Sequence, residues 1–184
     1  MNITVIGRGN VGGGLAKRWR AAGHDVQELG RDGGDASGAD VVLLAVPSGA
    51  IESALGKVEG VQGKVVVDAT NHFSGERPPF PSLAHQVASI VGGPVAKSFN
   101  LNFAVLHDRI DEQPERPGNL YCADDGAREL TERLIRDAGY EPVDAGDLES
   151  ARALEDGLAI LMGVSKAGGG QGFYRFWRPS GLRR

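Results

Sequence analysis

The sequence predicts a doubly wound α/β protein built on a mostly parallel sheet, and three observations support that prediction. Apolar runs of strand length alternate with amphipathic stretches along the chain. Some runs, such as DVVLLAV at residues 40–46, are continuously apolar, which is typical of strands covered on both faces. A glycine-rich turn, GRGNVGGG at residues 7–14, joins the first run to the first amphipathic stretch. We expect a single domain over residues 1–184.

The first thirty residues predict a strand–turn–helix–strand unit. We expect a strand from Asn2 to Ile6, a helix from Val11 to Ala22 and a second strand from His24 to Leu29. Only about ten residues, 30–39, precede the next apolar run, whereas a parallel crossover normally needs a dozen or more. We therefore expect a trimmed crossover without a full helix.

The rest of the chain continues the alternation. Strands are predicted at 40–46, 64–68, 94–99, 120–123 and 141–144, and helices from Pro47 through Leu55 and at 83–91, 124–138 and 147–166. Residues 74–82 are a proline-rich loop, and residues 100–118 show no clear period, so we expect a long loop there.

Composition excludes several classes of protein. The net charge of −4 argues against nucleic acid as the main partner, and we expect the arginines of the C-terminal tail to be solvated: Arg175, Arg178, Arg183 and Arg184. The single cysteine, Cys122, allows no internal disulfide and is expected to be buried. No apolar stretch approaches membrane-spanning length and no signal peptide is evident, so we expect a cytoplasmic protein.

The glycine-rich turn fits G-x-G-x-x-G at Gly7, Gly9 and Gly12. Because 28 of the 184 residues are glycine, chance alone would supply roughly 0.6 such matches, and the strand before and the helix after must carry the assignment. In a Rossmann-type dinucleotide site these glycines permit a tight turn, close approach of pyrophosphate and helix–sheet packing. The N–H groups of Asn10 and Val11 would then face the phosphates.

Two further glycines, Gly13 and Gly14, extend the motif into the helix. Each lowers helix propensity by roughly 1 kcal/mol relative to alanine. We expect either close packing or close approach of a ligand to offset this loss.

The end of the second strand distinguishes NAD from NADP. Gly30 and Arg31 lie where an NAD site would place an acid for the ribose 2′-hydroxyl. Arg31, together with Arg8 from the glycine turn, could instead bind a 2′-phosphate, so the pattern favours NADP. Glu28 and Asp32 keep NAD open, because either carboxylate could hold the ribose.

The other strand ends should border the nicotinamide, since ligands of such sheets lie beyond the carboxyl ends of the strands. These residues are Ala45, Val46, Pro47, Ser48, Ala69, Thr70, Asn71, His72, Ser98, Phe99, Asn100 and Leu101. His72 and His107 are the histidines near this rim, and a lone loop histidine more often faces solvent than catalyses. We predict no catalytic side chain and no metal site.

The chain resembles the coenzyme F-420 (deazaflavin)-dependent NADP oxidoreductases and their short NADP-binding, reductase-like relatives. The resemblance rests on ITVIGRGNVG, GHDVQELGR, ADVVLLAVP, KVVVDATN, VAKSFN, RELTERLIRDAGYEPVDAG and DLESARALE. It implies hydride transfer between NADPH and a flat acceptor, a deazaflavin or another flavin-like molecule, which needs alignment more than acid–base groups. By the same resemblance, residues 8–11 and 30–31 would hold the adenosine phosphates, and residues 45–47, 71 and 98–100 would frame the nicotinamide.

The sequence departs from that family at three places. The family usually has serine or threonine where Gly30 stands, and a small polar residue where Arg8 stands. A strand and helix that normally follow the second strand are missing within residues 32–39, which could open the adenine end of the site.

Two other functions remain open alongside the reductase. One is a non-catalytic NADP-binding or redox-sensing domain. The other, a hydroxyacid or imine reductase, is disfavoured because such enzymes usually add an all-helical domain, and only about 40 residues follow the last strand. We expect a small-molecule hydride acceptor and a homodimer, with the glycine- and aromatic-rich tail packed on the sheet or across the dimer interface.

Overall fold

The computed structural model describes residues 1–73 and 77–177, and its centre is a seven-stranded sheet. The strands, in chain order, are β1 (Asn2–Ile6), β2 (Asp25–Leu29), β3 (Gly34–Asp35), β4 (Val41–Leu44), β5 (Val58–Glu59), β6 (Val65–Asp68), β7 (Val95–Ser98), β8 (Gly118–Ala123) and β9 (Glu141–Asp144). The order in the main sheet is β2-β1-β4-β6-β7-β8-β9, and β3 and β5 form a separate pair. All neighbours in the main sheet are parallel except β7 and β8. The predicted mostly parallel sheet is confirmed.

Helices cover both faces of this sheet. They are α1 (Asn10–Ala21), α2 (Ile51–Leu55), α3 (Leu83–Val91), α4 (Asp125–Asp137) and α5 (Ala151–Val164). Alternate residues of β4 enter two separate cores, because successive side chains of a strand point to opposite faces. Val42 and Leu44 pack with α2, α3 and α5, whereas Val41 and Leu43 pack with α1 and α4. The doubly wound architecture is therefore as predicted.

The trimmed crossover after β2 is confirmed. Residues 30–40 contain no helix, and the short strand β3 pairs in parallel with β5. Lys64 holds the end of the crossover, because its Nζ donates to the carbonyl oxygens of Ser37 (2.7 Å) and Ala39 (2.8 Å). These contacts join the crossover to the segment between α2 and β6, a pairing that the sequence did not predict.

The long loop predicted at residues 100–118 is wrong for its central part, which forms a 3-10 helix at Ala104–Glu112. Contacts with α1 hold this segment in place. Arg18 Nη1 donates to the carbonyl oxygen of His107 (3.0 Å) and Arg18 Nη2 to Asp111 Oδ1 (2.7 Å). A Cβ on Gly14 would overlap Nδ1 of His107. Close packing thus explains Gly14, whereas a Cβ on Gly13 would meet only ordinary contacts at 3.7–4.0 Å.

His107 itself is buried, at 2% exposure, and does not face solvent as expected for a loop histidine. Among the described residues its two ring nitrogens have no hydrogen-bond partner. Burial, reinforced by the charge of Arg18, lowers the pKa of His107 from 6.5 to about 4. The ring is therefore neutral at physiological pH and acts as part of the packing.

The aromatic tail packs on the sheet, which is one of its two expected positions. The N–H of Gly118 donates to the carbonyl oxygen of Tyr174 (2.7 Å), and the Tyr174 hydroxyl donates to Asn102 Oδ1 (2.9 Å).

Cys122 is buried and unpaired, as predicted. The expectations for residues 74–76 of the proline-rich loop, and for residues 178–184 with three tail arginines, lie outside the described residues. Within the described ranges no helix has the length and apolar character needed to cross a membrane.

Candidate dinucleotide site

The topological switch point of the sheet lies at β1. The chain leaves β2 on one side of β1 and enters β4 on the other, and Ile6 is in register with both Leu29 and Leu44. Gly7, Gly30 and Ala45 therefore follow directly on the ends of three adjacent strands. In open α/β sheets this edge is where ligands bind.

The three motif glycines have different reasons to be glycine. Gly7 has φ of 109°, and a Cβ on it would overlap the carbonyl oxygen of Ala45. A Cβ on Gly12 would overlap the carbonyl oxygen of Gly7, so the helix could not pack as closely on the strand. A Cβ on Gly9 would meet nothing within 4 Å. The first and third glycines are thus required by packing, whereas the second leaves open space beside the backbone.

The beginning of α1 has no side-chain cap among the described residues, although Glu28 Oε2 would lie 3.8 Å from a Cβ on Gly13. Gly9 is the N-cap, no side chain caps the helix, and its first turn contains no acidic residue. The free N–H groups and the positive end of the helix dipole therefore face the open space beside Gly9. A phosphate group fits this environment.

Arg8 and Gly30 are structurally linked. A Cβ on Gly30 would lie 2.7 Å from Arg8 Cζ and would overlap Nη2. The end of the Arg8 side chain thus fills the space beside Gly30 that a serine or threonine side chain would enter. Arg31 is exposed next to this contact, and Lys57 Nζ donates to its carbonyl oxygen (3.1 Å).

Of the two acids that would favour NAD, Glu28 forms an ion pair with another residue. Glu28 Oε1 forms an ion pair with Arg20 Nη1 at 2.7 Å, and Arg20 also donates to the carbonyl oxygen of Val26. Asp32 is exposed on the crossover, one residue beyond Arg31. The end of β2 is therefore bordered by Arg8 and Arg31 and also by the exposed carboxylate of Asp32.

A reciprocal pair of asparagines joins the next two strand ends. Asn71 Nδ2 donates to the carbonyl oxygen of Asn100 (2.6 Å), and Asn100 Nδ2 donates to Asn71 Oδ1 (3.1 Å). Asn100 Oδ1 and Thr70 Oγ1 are buried oxygens with no partner among the described residues. Ala45 and Val46 are half-buried and Pro47 is exposed at the neighbouring strand end. The predicted nicotinamide residues are thus gathered at one edge.

The turn at residues 98–100 is held in place by contacts of Ser98 and Phe99 with the protein interior. Ser98 is fully buried and its hydroxyl accepts a hydrogen bond from Asn119 Nδ2 (2.7 Å). Phe99 has φ of 61°, a left-handed conformation that is unfavourable for a side chain of this size. Its ring packs edge-on against Trp19 and Tyr140, with centroids 5.8 and 6.4 Å away. This packing stabilises the turn that presents Asn100.

The sequence prediction missed a buried ion cluster behind this edge. Lys97 Nζ lies 2.7 Å from Asp68 Oδ2 and 3.2 Å from Glu155 Oε1, and all three side chains are at most 2% exposed. Each residue stands in a segment that carries the family resemblance, KVVVDATN, VAKSFN or DLESARALE. A lysine inside an apolar strand was the signal that could have revealed the cluster, because such a charge needs a buried partner.

The sequence and the structure were compared with those of known proteins. No protein-family model and no curated protein matches the sequence. A solved structure from Arthrobacter sp. FB24, provisionally named an F-420-dependent NADP reductase, has a TM-score of 0.80 and 23% identity, covering 96% of this chain and 99% of that one. A hypothetical protein from Sinorhizobium meliloti has a TM-score of 0.68 and 27% identity, covering 82% and 88%.

An imine reductase from Aspergillus terreus, solved in complex with NADPH4, has a TM-score of 0.66 and 17% identity. The match covers 91% of this chain but 63% of the imine reductase. Together with the topology, these matches define a single α/β, Rossmann-like fold. The resemblance to F-420-dependent NADP reductases that the sequence motifs predicted is confirmed at the level of the fold.

Proposed function

We propose that this protein is an NADP(H)-dependent oxidoreductase that transfers a hydride between NADPH and a deazaflavin or another flavin-like acceptor. The observation that carries the proposal is the contact of Arg8 with Gly30, next to Arg31, directly beyond β1 and β2. The end of the second strand borders the adenosine 2′-phosphate in a Rossmann-type site, and Arg8 and Arg31 both stand near that end of β2 in the chain. The NADP reductase and the imine reductase with NADPH4 among the similar structures support the same cofactor.

The glycine turn would hold the pyrophosphate. Gly7 and Gly12 shape the turn, Gly9 leaves room for the phosphates, and the uncapped N–H groups of Asn10 and Val11 donate to them. Arg8, Gly30 and Arg31 would hold the 2′-phosphate through charge-assisted hydrogen bonds. The residues fit the group, because the open space and the unpaired donors lie at the same place.

The opposite end of the cleft would hold the nicotinamide. Ala45, Val46 and Pro47 form one wall, and the asparagine pair forms the other. The unpaired oxygens of Thr70 and Asn100 are acceptors that suit the N–H groups of a carboxamide. Ser98 supports this wall from behind through Asn119.

The bound nicotinamide would supply the hydride, and the protein would supply orientation. Transfer between two flat rings depends on alignment rather than on a proton donor. The fixed turn at Phe99 and the asparagine pair serve that purpose, because they hold the cleft edge in one conformation. The polar groups proposed to contact the nicotinamide are amides and a hydroxyl, and none of them is a general acid.

The deciding experiment mixes the protein and NADPH with oxidised deazaflavin or with FMN and follows absorbance at 340 nm. We expect protein-dependent oxidation of NADPH with at least one acceptor. NADPH binding without turnover of either would favour a non-catalytic NADP-binding or sensing protein instead. Asn100→Asp should slow turnover, because it removes the Nδ2 donor to Asn71 Oδ1 and to the carbonyl oxygen of Leu154.

We also propose that a second copy of the chain covers the end of α5. Residues 157–164 of this helix, GLAILMGV, contain no charge, and Ile160 and Val164 are 70% and 56% exposed. A helix that is apolar on all sides is normally enclosed, and a twofold axis would place this surface against itself. Sedimentation analysis should show a dimer that Ile160→Asp dissociates; a monomeric native protein would contradict the proposal.

A further inference from the structure

We propose that Arg20 determines the cofactor preference of this site, because it neutralises the carboxylate of Glu28 beside the glycine turn and so allows a 2′-phosphate to bind there. The inference rests on the proposed function, which places NADP(H) at the carboxyl ends of β1 and β2. Arg20 is a positioning residue: it acts through Glu28 and does not itself contact the cofactor.

The carboxylate of Glu28 lies between α1 and the glycine turn. Glu28 stands two positions before Gly30, and its side chain points to the same face of the sheet as Val26, which packs with α1. A Cβ on Gly13 would lie 3.8 Å from Glu28 Oε2 and 3.7 Å from the carbonyl oxygen of Arg8. The carboxylate therefore reaches the first turn of α1, next to the main chain that is proposed to hold the pyrophosphate.

Arg20 holds this carboxylate from the last turn of α1. Gly13 and Arg20 are seven positions apart, which is about two turns, so they lie on the same side of the helix. Arg20 Nη1 donates to Glu28 Oε1 (2.7 Å), and Arg20 Nη2 donates to the carbonyl oxygen of Val26 (2.7 Å). Two contacts with β2 thus fix the guanidinium group against the carboxylate.

The two charges of this pair cancel beside the site. The side chains of Arg20 and Glu28 are 46% and 22% exposed. A guanidinium group keeps its proton at neutral pH, and a carboxylate that is paired with it and reaches solvent is ionised. Without Arg20, one negative charge would remain at the first turn of α1.

That negative charge would affect NADPH and NADH differently. The 2′-phosphate of NADPH carries between about 1.5 and 2 negative charges at neutral pH, whereas NADH has a hydroxyl group at the same position. An unpaired carboxylate repels the phosphate, and it accepts a hydrogen bond from the hydroxyl. Ion pairs that reach solvent contribute little to stability, so stability alone does not explain the pair. By neutralising Glu28, Arg20 favours NADPH over NADH.

Arg20→Gln tests this inference, because it removes the cation and keeps a polar side chain. The measurement is the dissociation constant of NADPH and of NADH, by fluorescence titration of native protein and variant. We expect the preference for NADPH, the ratio of the two constants, to fall roughly tenfold, as an added unit charge near a phosphate dianion predicts. Asp32, the other acid near the end of β2, is present in every variant and does not affect the comparison.

Two further variants identify Glu28 as the residue through which Arg20 acts. The double variant Arg20→Gln with Glu28→Gln should recover the native preference, because no carboxylate is left to neutralise. Arg20→Lys keeps the positive charge and should also retain the native preference. A double variant that stays as unselective as Arg20→Gln alone would mean that Arg20 contacts the phosphate itself, and it would overturn the inference.

Lys17→Gln is the matched control. Lys17 is also in α1 and forms an ion pair with Asp108 at 2.6 Å, with both side chains 70% exposed. It stands nearer than Arg20 to the glycine turn along the helix, but its partner lies in the 3-10 helix rather than in β2. The control should leave the ratio of the two dissociation constants unchanged, and a loss of preference as large as that of Arg20→Gln would contradict a specific role for Arg20.

The outcomes separate this inference from the proposed function. If the native protein binds neither cofactor, or binds NADH more tightly, the proposed function is wrong and this inference falls with it. If the native protein prefers NADPH and Arg20→Gln weakens both cofactors equally, or neither, only this inference is overturned. Should Arg20→Gln not fold, Glu28→Gln alone decides: it must leave the preference for NADPH at or above the native value, and a weaker preference would overturn the inference.

Discussion

The guanidinium group of Arg8 lies against Gly30 and occupies the space that a side chain on residue 30 would enter. The contact joins the glycine turn after β1 to the end of β2. Arg31, the residue after Gly30, is exposed. Arg8 and Arg31, which are 23 residues apart in the sequence, thus follow the ends of two adjacent strands.

Gly30→Ser should reduce NADPH affinity about as much as Arg8→Ala does. Each change removes the same placement of the Arg8 guanidinium, and the loss of a charged hydrogen bond is worth about 1–3 kcal/mol. The double variant should lose much less than the sum of the two single losses. Binding measured by fluorescence titration of all four proteins checks this cycle, and additive losses would mean that the two residues act independently.

Gly14→Ala should destabilise the fold, because its Cβ would overlap the ring of His107. Overpacking of this kind costs about 1–3 kcal/mol. Gly13→Ala is the matched control in the same helix, and it should stabilise by roughly 0.5–1 kcal/mol through helix propensity. Urea unfolding of both variants gives the comparison. Equal effects of the two substitutions would show that His107 does not constrain Gly14.

The stability of the protein should fall on acidification through the titration of His107. Its pKa is lowered to about 4, chiefly by burial, so the unfolded chain binds the proton more tightly than the fold does. The contribution is absent above pH 6.5 and grows to about 3 kcal/mol of lost stability as the pH falls toward 4.

Urea unfolding between pH 7 and pH 4.5 measures this loss, with His107→Gln as the reference protein. The carboxylates titrate in both proteins, so the difference between the two curves isolates the histidine. The native protein should lose stability more steeply below pH 6.5. Parallel curves would show that the ring accepts a proton in the folded state at its ordinary pKa.

Sequence patterns predicted the helices and strands whose buried residues recur with a regular local period. The strand at Asn2–Ile6 and the helix at Leu83–Val91 have the bounds that were predicted, and the trimmed crossover followed from the length of chain available. The register of the parallel strands brings the glycine turn to the end of β2, which Arg31 follows, and the binding role of these residues stays a prediction.

The features that were missed depend on partners far along the chain. The 3-10 helix at Ala104–Glu112 has no apolar period of its own and is held by Arg18 and Gly14. Lys97 was visible as a lysine in an apolar strand, but its carboxylates come from β6 and α5, 29 and 58 positions away in the sequence. Only the assembled fold brings these charges together.

The most direct test of the central claim is a fluorescence titration of the native protein and of Arg31→Ala with NADPH and with NADH. We expect the native protein to bind NADPH more tightly, because only NADPH carries the 2′-phosphate. Arg31→Ala should weaken NADPH by about 1–3 kcal/mol and leave NADH almost unchanged. Binding of NADH but not NADPH, or an equal loss of both in the variant, would contradict the assignment of Arg8 and Arg31 to the 2′-phosphate.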